Sequence, residues 1–217
     1  FLSSPVQGQT VANWNDDFLT AGFPGSDHPA FPFESIKGYD ESVAGSADNG
    51  YTSVTTATSL TAGEGFWVWS GDAAAGTAAF TIDLFGTINS GSISLPVSFS
   101  NGTHADDGWC MVGNPYPCTI DWDDTDWTKT NIDDAVYIWS TQTSSYASYI
   151  SGVGNNGGSN EIASGQGFWI KANATSPVLT ATEGVKINQS PTFLKAGSTN
   201  NVFRLNMTSQ NGTLKDQ

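Results

Sequence analysis

The sequence predicts an all-β chain: two tandem antiparallel β-sandwich modules, jelly-roll or immunoglobulin-like, spanning residues 1–105 and 106–217 and related by internal duplication. Three observations lead there. A signature occurs twice, as Gly63-Glu64-Gly65-Phe66-Trp67-Val68 and Gly165-Gln166-Gly167-Phe168-Trp169-Ile170, and Gly-x-Gly running into Phe-Trp-Val/Ile reads as a tight turn feeding a strand with at least half-buried aromatics. The 24 glycines, with many Ser, Thr and Asn, punctuate short β-rich runs. No stretch places apolar residues at i, i+3, i+4 and i+7, the helical pattern.

The repeat extends outward from the signature. Leu2-Ser3-Ser4-Pro5 matches Val112-Gly113-Asn114-Pro115, and Trp14 matches Trp122. Ser35-Ile36-Lys37-Gly38-Tyr39 matches Ala135-Val136-Tyr137-Ile138-Trp139, and Tyr51 matches Tyr146. Phe80-Thr81-Ile82 matches Val178-Leu179-Thr180, and Leu95 through Thr103 matches Leu205 through Thr213. One unit of roughly 105–110 residues, copied once with small loop insertions, accounts for these matches.

Taken in order, the first unit opens with a strand broken at Pro5 and a short segment ending at Trp14. A loop over 20–32 follows, then strands over 35–39, 51–56 and 66–69. Residues 77–84 and 92–99 are expected to form a hairpin around Asn89-Ser90-Gly91. Polar, turn-forming residues at 103–108 mark the module boundary. The second unit repeats the course, with strands over 109–112, 119–122, 135–139, 146–150, 167–171, 177–182 and 202–207. The Gly/Asn-rich stretch 152–160 is expected to be a mobile loop.

Composition narrows the partners. With 7 Lys+Arg against 21 Asp+Glu, the net charge is −14. Such a surface repels phosphate backbones and anionic lipid, so neither nucleic acid nor a membrane surface is an expected partner. No transmembrane run or signal peptide is present, and Phe1 is not an initiator Met, so the expectation is a mature or excised part of a larger protein. Cys110 and Cys118 flank Gly113-Asn114-Pro115-Tyr116-Pro117. That turn is short enough for a disulfide in an oxidising compartment, and a bridge and two thiols are both open.

Chemistry-bearing residues are sparse, and no enzyme is expected. His28 and His104 lie in polar loops, recur in neither unit, and no Gly-x-Ser-x-Gly elbow supplies a nucleophile. Glu64 sits between glycines beside Phe66, but its counterpart is Gln166. What the two share is a hydrogen-bonding group in a turn, a structural role. Calcium is the one cofactor the residues suggest. Asp121, Asp123, Asp124 and Asp126 crowd one loop with the oxygen ligands a hard cation takes, though without the glycine and closing glutamate of an EF-hand. The alternative is a solvated turn in which the aspartates cap backbone N–H groups. Among the aromatics, Trp14/Trp122 and Phe66-Trp67/Phe168-Trp169 recur and are expected in the cores. Trp69, Trp127 and Tyr149 have no counterpart and are the candidate carbohydrate-binding rings.

The combination Gly108-Trp109-Cys110-Met111-Val112-Gly113-Asn114-Pro115-Tyr116-Pro117, Ile120-Asp121-Trp122, Val136-Tyr137-Ile138-Trp139 and Gly165-Gln166-Gly167-Phe168-Trp169 resembles a module of large secreted Bacteroidetes proteins. There it stands ahead of the C-terminal sorting domain read by the type nine secretion system. The resemblance implies an extracellular or outer-surface location and an accessory role beside adhesins or polymer-degrading enzymes. The expected function is therefore non-catalytic: adhesion, spacing or presentation within a larger parent protein, against an extracellular polymer. The alternative is a carbohydrate-binding accessory module of a polysaccharide-degrading enzyme.

Overall fold

The computed structural model describes residues 1–70, 81–100 and 102–189, together with the backbone of 208–209 and 212–213. The strands expected over 77–80 and 202–207, and Phe80, Leu205 and Asn211 of the repeat, lie outside the described residues. The fold is all-β and every strand pairing among the described residues is antiparallel. No helix among them is long and apolar enough to cross a membrane.

The N-terminal half carries β1 (Val6–Gln7), one helical turn α1 (Ala12–Asn15), β2 (Ile36–Tyr39), β3 (Tyr51–Ser53), β4 (Trp67–Val68) and β5 (Thr87–Ile88). β2 is the central strand of the β3-β2-β4 sheet, and β1 pairs with β5. Trp14, Phe66, Phe23, Ile36 and Val11 are among the residues of its core. The helical turn was not expected. It forms because the Asn13 side chain accepts from Thr10 N–H, fixing the turn that buries Trp14.

The C-terminal half begins early, with β6 (Ile93–Ser94), and continues through β7 (Trp109–Gly113), β8 (Thr119–Asp121), β9 (Thr128–Thr130), β10 (Ala135–Ser140) and β11 (Ser145–Ile150). β12 (Val153–Asn155), β13 (Glu161–Ile162), β14 (Gly167–Lys171), β15 (Val178–Ala181) and β16 (Lys186–Ile187) follow. Beyond them, β17 (Thr208–Ser209) pairs with β18 (Gly212–Thr213). A five-stranded sheet, β12-β11-β10-β14-β7, faces two three-stranded sheets, β13-β8-β16 and β6-β15-β9. The core between them holds Val112, Val136, Phe168 and Ile170 from the first, and Ile120, Ile162, Leu179 and Leu95 from or beside the others. This is the layering of a β-sandwich.

Two local expectations are corrected. Residues 92–99 form no hairpin with 81–84. Ile93 and Ser94 pair instead with Ala181 and Thr180, and Leu95 joins the C-terminal core. The intervening Asn89 is no exposed turn residue. It is fully buried, and its amide donates to Ser4 O at 3.2 Å and Pro115 O at 2.8 Å. In 152–160, Val153–Asn155 is not loop but strand β12, continuing the sheet beyond β11. Gly154 lets the chain fold back closely, since a Cβ there would lie 2.2 Å from Gly158 O.

Strand periodicity decides what each sheet presents. On β14, Phe168 and Ile170 enter the core, so Trp169 and Lys171 point to the opposite face. The same alternation on β7 and β10 turns Trp109, Met111, Tyr137 and Trp139 outward. The outer face of this sheet is therefore aromatic, and it meets the N-terminal half, where Tyr39 stands 4.5 Å from Trp169 between ring centroids.

Candidate functional site

The structure gathers most of the sequence-predicted ligand residues, but into a core. Trp127 is 8% exposed and Tyr149 9%, so neither offers a face to a polysaccharide. Trp127 lies 5.3 Å from Trp122 and donates its indole N–H to Asp121 O at 2.8 Å, while the Tyr149 hydroxyl donates to Asp123 Oδ2. Both rings tie down the acidic loop from beneath. Trp69 is 61% exposed and stands apart from the other two, edge-on to Phe33 at 5.0 Å. The three do not form a platform.

The aspartates of that loop serve the turn. Asp121 Oδ1 accepts from Asp123 N–H at 2.9 Å and from Asn160 Nδ2 at 2.6 Å, and Asp124 Oδ1 accepts from Asp126 N–H at 2.8 Å. Their carboxylates do not converge, and no group of three or more potential metal ligands exists among the described residues. Asp121 and Asp124 thus take the backbone-capping role that Asp fills in tight turns, while the Asp123 carboxylate accepts from Tyr149 and Asp126 contributes the N–H that Asp124 caps. Cys110 and Cys118 are thiols and not a bridge. The Cys110 side chain faces the core and exchanges hydrogen bonds with Ser98, accepting from its N–H and donating to its carbonyl; burial pushes its thiol up to about 11.

The two Gly-x-Gly signatures meet at the junction of the halves. Gly63 (φ +80°) and Gly165 (φ +70°) both take the left-handed backbone that only glycine adopts readily. Each turn then hydrogen-bonds the other half. Gly113 N–H donates to Gly63 O and Ser3 N–H to Gly165 O, both at 2.9 Å; Gly65 N–H donates to Met111 O at 3.4 Å and Gly167 N–H to Phe1 O at 3.2 Å. Isolated bridges Leu2↔Gln166 and Glu64↔Val112 complete this reciprocal clasp. Glu64 accepts from Thr61 N–H at 3.4 Å, and the Gln166 amide donates to Phe1 O and Gly167 O. Both side chains therefore hold turns, the role their shared position suggested.

A second tether fixes the connection. Buried Glu41 accepts at Oε1 from Ser100 N–H, Ser100 Oγ–H and Gly108 N–H, each at 2.8 Å. Burial alone would raise its carboxyl pKa, but these donors prevail and hold it below the usual range. Asp106 accepts from Ala47 N–H at 3.1 Å, and Lys171 reaches Ala105 O at 2.7 Å.

Where the halves meet, a cleft of about 380 Å³ opens, within the range of small-molecule sites. Tyr51, Trp109, Tyr137, Tyr146 and Trp169 line it, with Asp48 at its wall. Trp169 stands nearly perpendicular to its neighbours: Tyr51 and Trp109 are each 6.3 Å away between centroids, at 85° and 88°. Its Nε1–H is buried and short of a well-formed hydrogen bond, and its interaction with the Tyr146 side chain lowers that hydroxyl's pKa against the rise that burial imposes. Burial raises the pKa values of Tyr51 and Tyr146, with Asp48 adding to both shifts, so these rings stay neutral. The sequence reading placed both residues of Phe168-Trp169 in one core. Period-two alternation was the signal that separates them, because neighbours on a strand cannot share a face.

Residues 1–216 match the family described as Domain of unknown function (DUF8693). The chain belongs to that family. No curated protein and no solved structure matches it.

One ionisable group outside the cleft makes a pH prediction. Burial, a hydrogen bond to the Asp83 side chain and the Asp83 and Asp16 charges raise the Asp17 carboxyl from 3.8 to about 7, against the opposing Asp83 N–H donation. The folded state therefore binds this proton more tightly than the unfolded chain. Its contribution to stability is full below pH 3.8 and is lost as pH rises through about 7. Asp17→Asn is expected to flatten the fall in melting temperature across that window; an unchanged pH profile contradicts the assignment.

Proposed function

We propose that this chain is a non-catalytic module of a secreted or cell-surface protein, spacing or presenting its neighbours in the service of adhesion. The reciprocal clasp carries this reading. It makes two cores one body, so forces entering at one half pass to the other through paired backbone rather than through a flexible linker. We read the halves as copies of one unit, supported by matched ring pairs. Trp14–Phe66 (5.5 Å, 86°) answers Trp122–Phe168 (6.2 Å, 77°). Tyr39–Tyr51 (5.5 Å, 82°) answers Trp139–Tyr146 (5.2 Å, 81°). Of the acidic groups that invited catalytic or calcium-binding readings, Glu64, Asp121 and Asp124 accept turn N–H groups, and the net charge of −14 keeps the surface hydrated.

Protease treatment of intact cells that make the protein tests the reading. Loss of the chain from the cell-associated fraction is expected, with the rest of the parent protein as its partner. Protection until the cells are lysed contradicts it. The aromatic cleft favours a second reading, capture of an extracellular polysaccharide, at residues other than Trp69, Trp127 and Tyr149.

A further inference from the structure

The geometry points to the cleft between the halves as a binding site for a neutral pyranose unit of a carbohydrate chain. This goes beyond the spacer reading, which holds whether or not the cleft is filled.

Four features select the ligand class. The lining is dominated by aromatic rings, which favour a ligand presenting C–H faces or edges. The Trp169 Nε1–H is buried within a residue that is 6% exposed, and it interacts with the Tyr146 side chain without a well-formed hydrogen bond. A buried donor is costly to leave unmade, so the matching ligand carries an acceptor oxygen. That preference disfavours a plain hydrocarbon. An anion is disfavoured by Asp48 in the wall and by the −14 net charge.

An organic cation, the other usual guest of aromatic cages, meets two obstacles. Lys171 Nζ already lies 5.4 Å from the Trp109 ring centre and Lys37 Nζ 6.0 Å from that of Tyr51, so two of the rings carry an ammonium. An under-satisfied Trp169 N–H in the lining would also oppose a positive guest. A sugar ring answers every feature: C–H edges against Trp109 and Tyr137, an oxygen accepting from Trp169, and a hydroxyl donating to Asp48. The 41% exposure of Tyr146 leaves one side open to solvent, through which a chain can continue.

Titration of tryptophan fluorescence with cellohexaose, xylohexaose, mannohexaose and maltohexaose tests the site. At least one is expected to give a saturable change. Trp169→Phe keeps a ring but removes the N–H, and is expected to weaken that binding about tenfold, the worth of one hydrogen bond. Because Trp169 also packs between the halves, Tyr146→Ser serves as a second, exposed variant and is expected to weaken binding as well. Trp69→Ala, outside the cleft, is expected to leave it unchanged. The proposal is overturned if none of the four perturbs the folded protein at about 10 mM, a level that reveals millimolar affinity. Binding that is equal in Trp169→Phe and Tyr146→Ser overturns it too, as does saturable binding of choline chloride with none of the sugars.

Discussion

Gly113→Ala is expected to lower the unfolding free energy by about 3 kcal/mol, the upper end for an overpacked contact. A Cβ at this position would lie 2.1 Å from Ser3 Cβ and 2.8 Å from Glu64 O. Neither neighbour can yield alone. Ser3 is held by its own donation to Gly165 O and by its hydroxyl on Asn114 O at 3.0 Å, and Glu64 belongs to the Gly-x-Gly turn that accepts from Gly113 N–H. The added methyl must therefore part the strands of the clasp. Urea denaturation measures this directly. A change below about 1 kcal/mol, the ordinary effect of a point substitution, would mean the halves adjust independently.

Trp122→Ala is expected to destabilise by about 3–5 kcal/mol, as removal of a buried large ring does. Trp122 is fully buried, edge-on to Phe168, and its indole N–H donates to Asp134 Oδ1 at 3.0 Å. Lys129 Nζ sits 3.7 Å from its ring centre while donating to Trp122 O at 2.6 Å, so the truncation also strips a cation of its ring. Trp14→Ala should act similarly in the other half, where Trp14 is 1% exposed. Trp69→Ala, at 61% exposure, should change stability by less than about 0.5 kcal/mol. Thermal melts of the three variants rank them; comparable losses at Trp69 and Trp122 would contradict the core assignment.

The all-β class was readable because turn glycines and β-rich runs are local features. Trp14, Trp122, Phe66 and Phe168 were readable as core because they recur at matched places. The fates of Trp127 and Tyr149 were not. Each lacks a counterpart, and its burial follows from a tertiary contact: Tyr149 reaches Asp123, 26 residues away and beside a strand of another sheet, and Trp127 folds back on Asp121, six residues earlier. The acidic loop misled for a related reason. Composition shows carboxylates close together, but whether they converge on a cation or cap N–H groups depends on turn geometry. Asn89 looked like a hairpin turn because Asn-Ser-Gly is a turn sequence, and only the long-range contacts to Ser4 and Pro115 place it inside. The cleft was hidden most deeply. It needs two sheet faces from different halves, and sequence patterning reports which side of a strand is apolar, not what covers it.

Differential scanning calorimetry of the intact chain tests most directly whether the halves behave as one body. The clasp predicts a single endotherm whose calorimetric and van't Hoff enthalpies agree. Two resolved transitions, with Trp14→Ala lowering one and Trp122→Ala lowering the other, would show two independent beads and contradict the account.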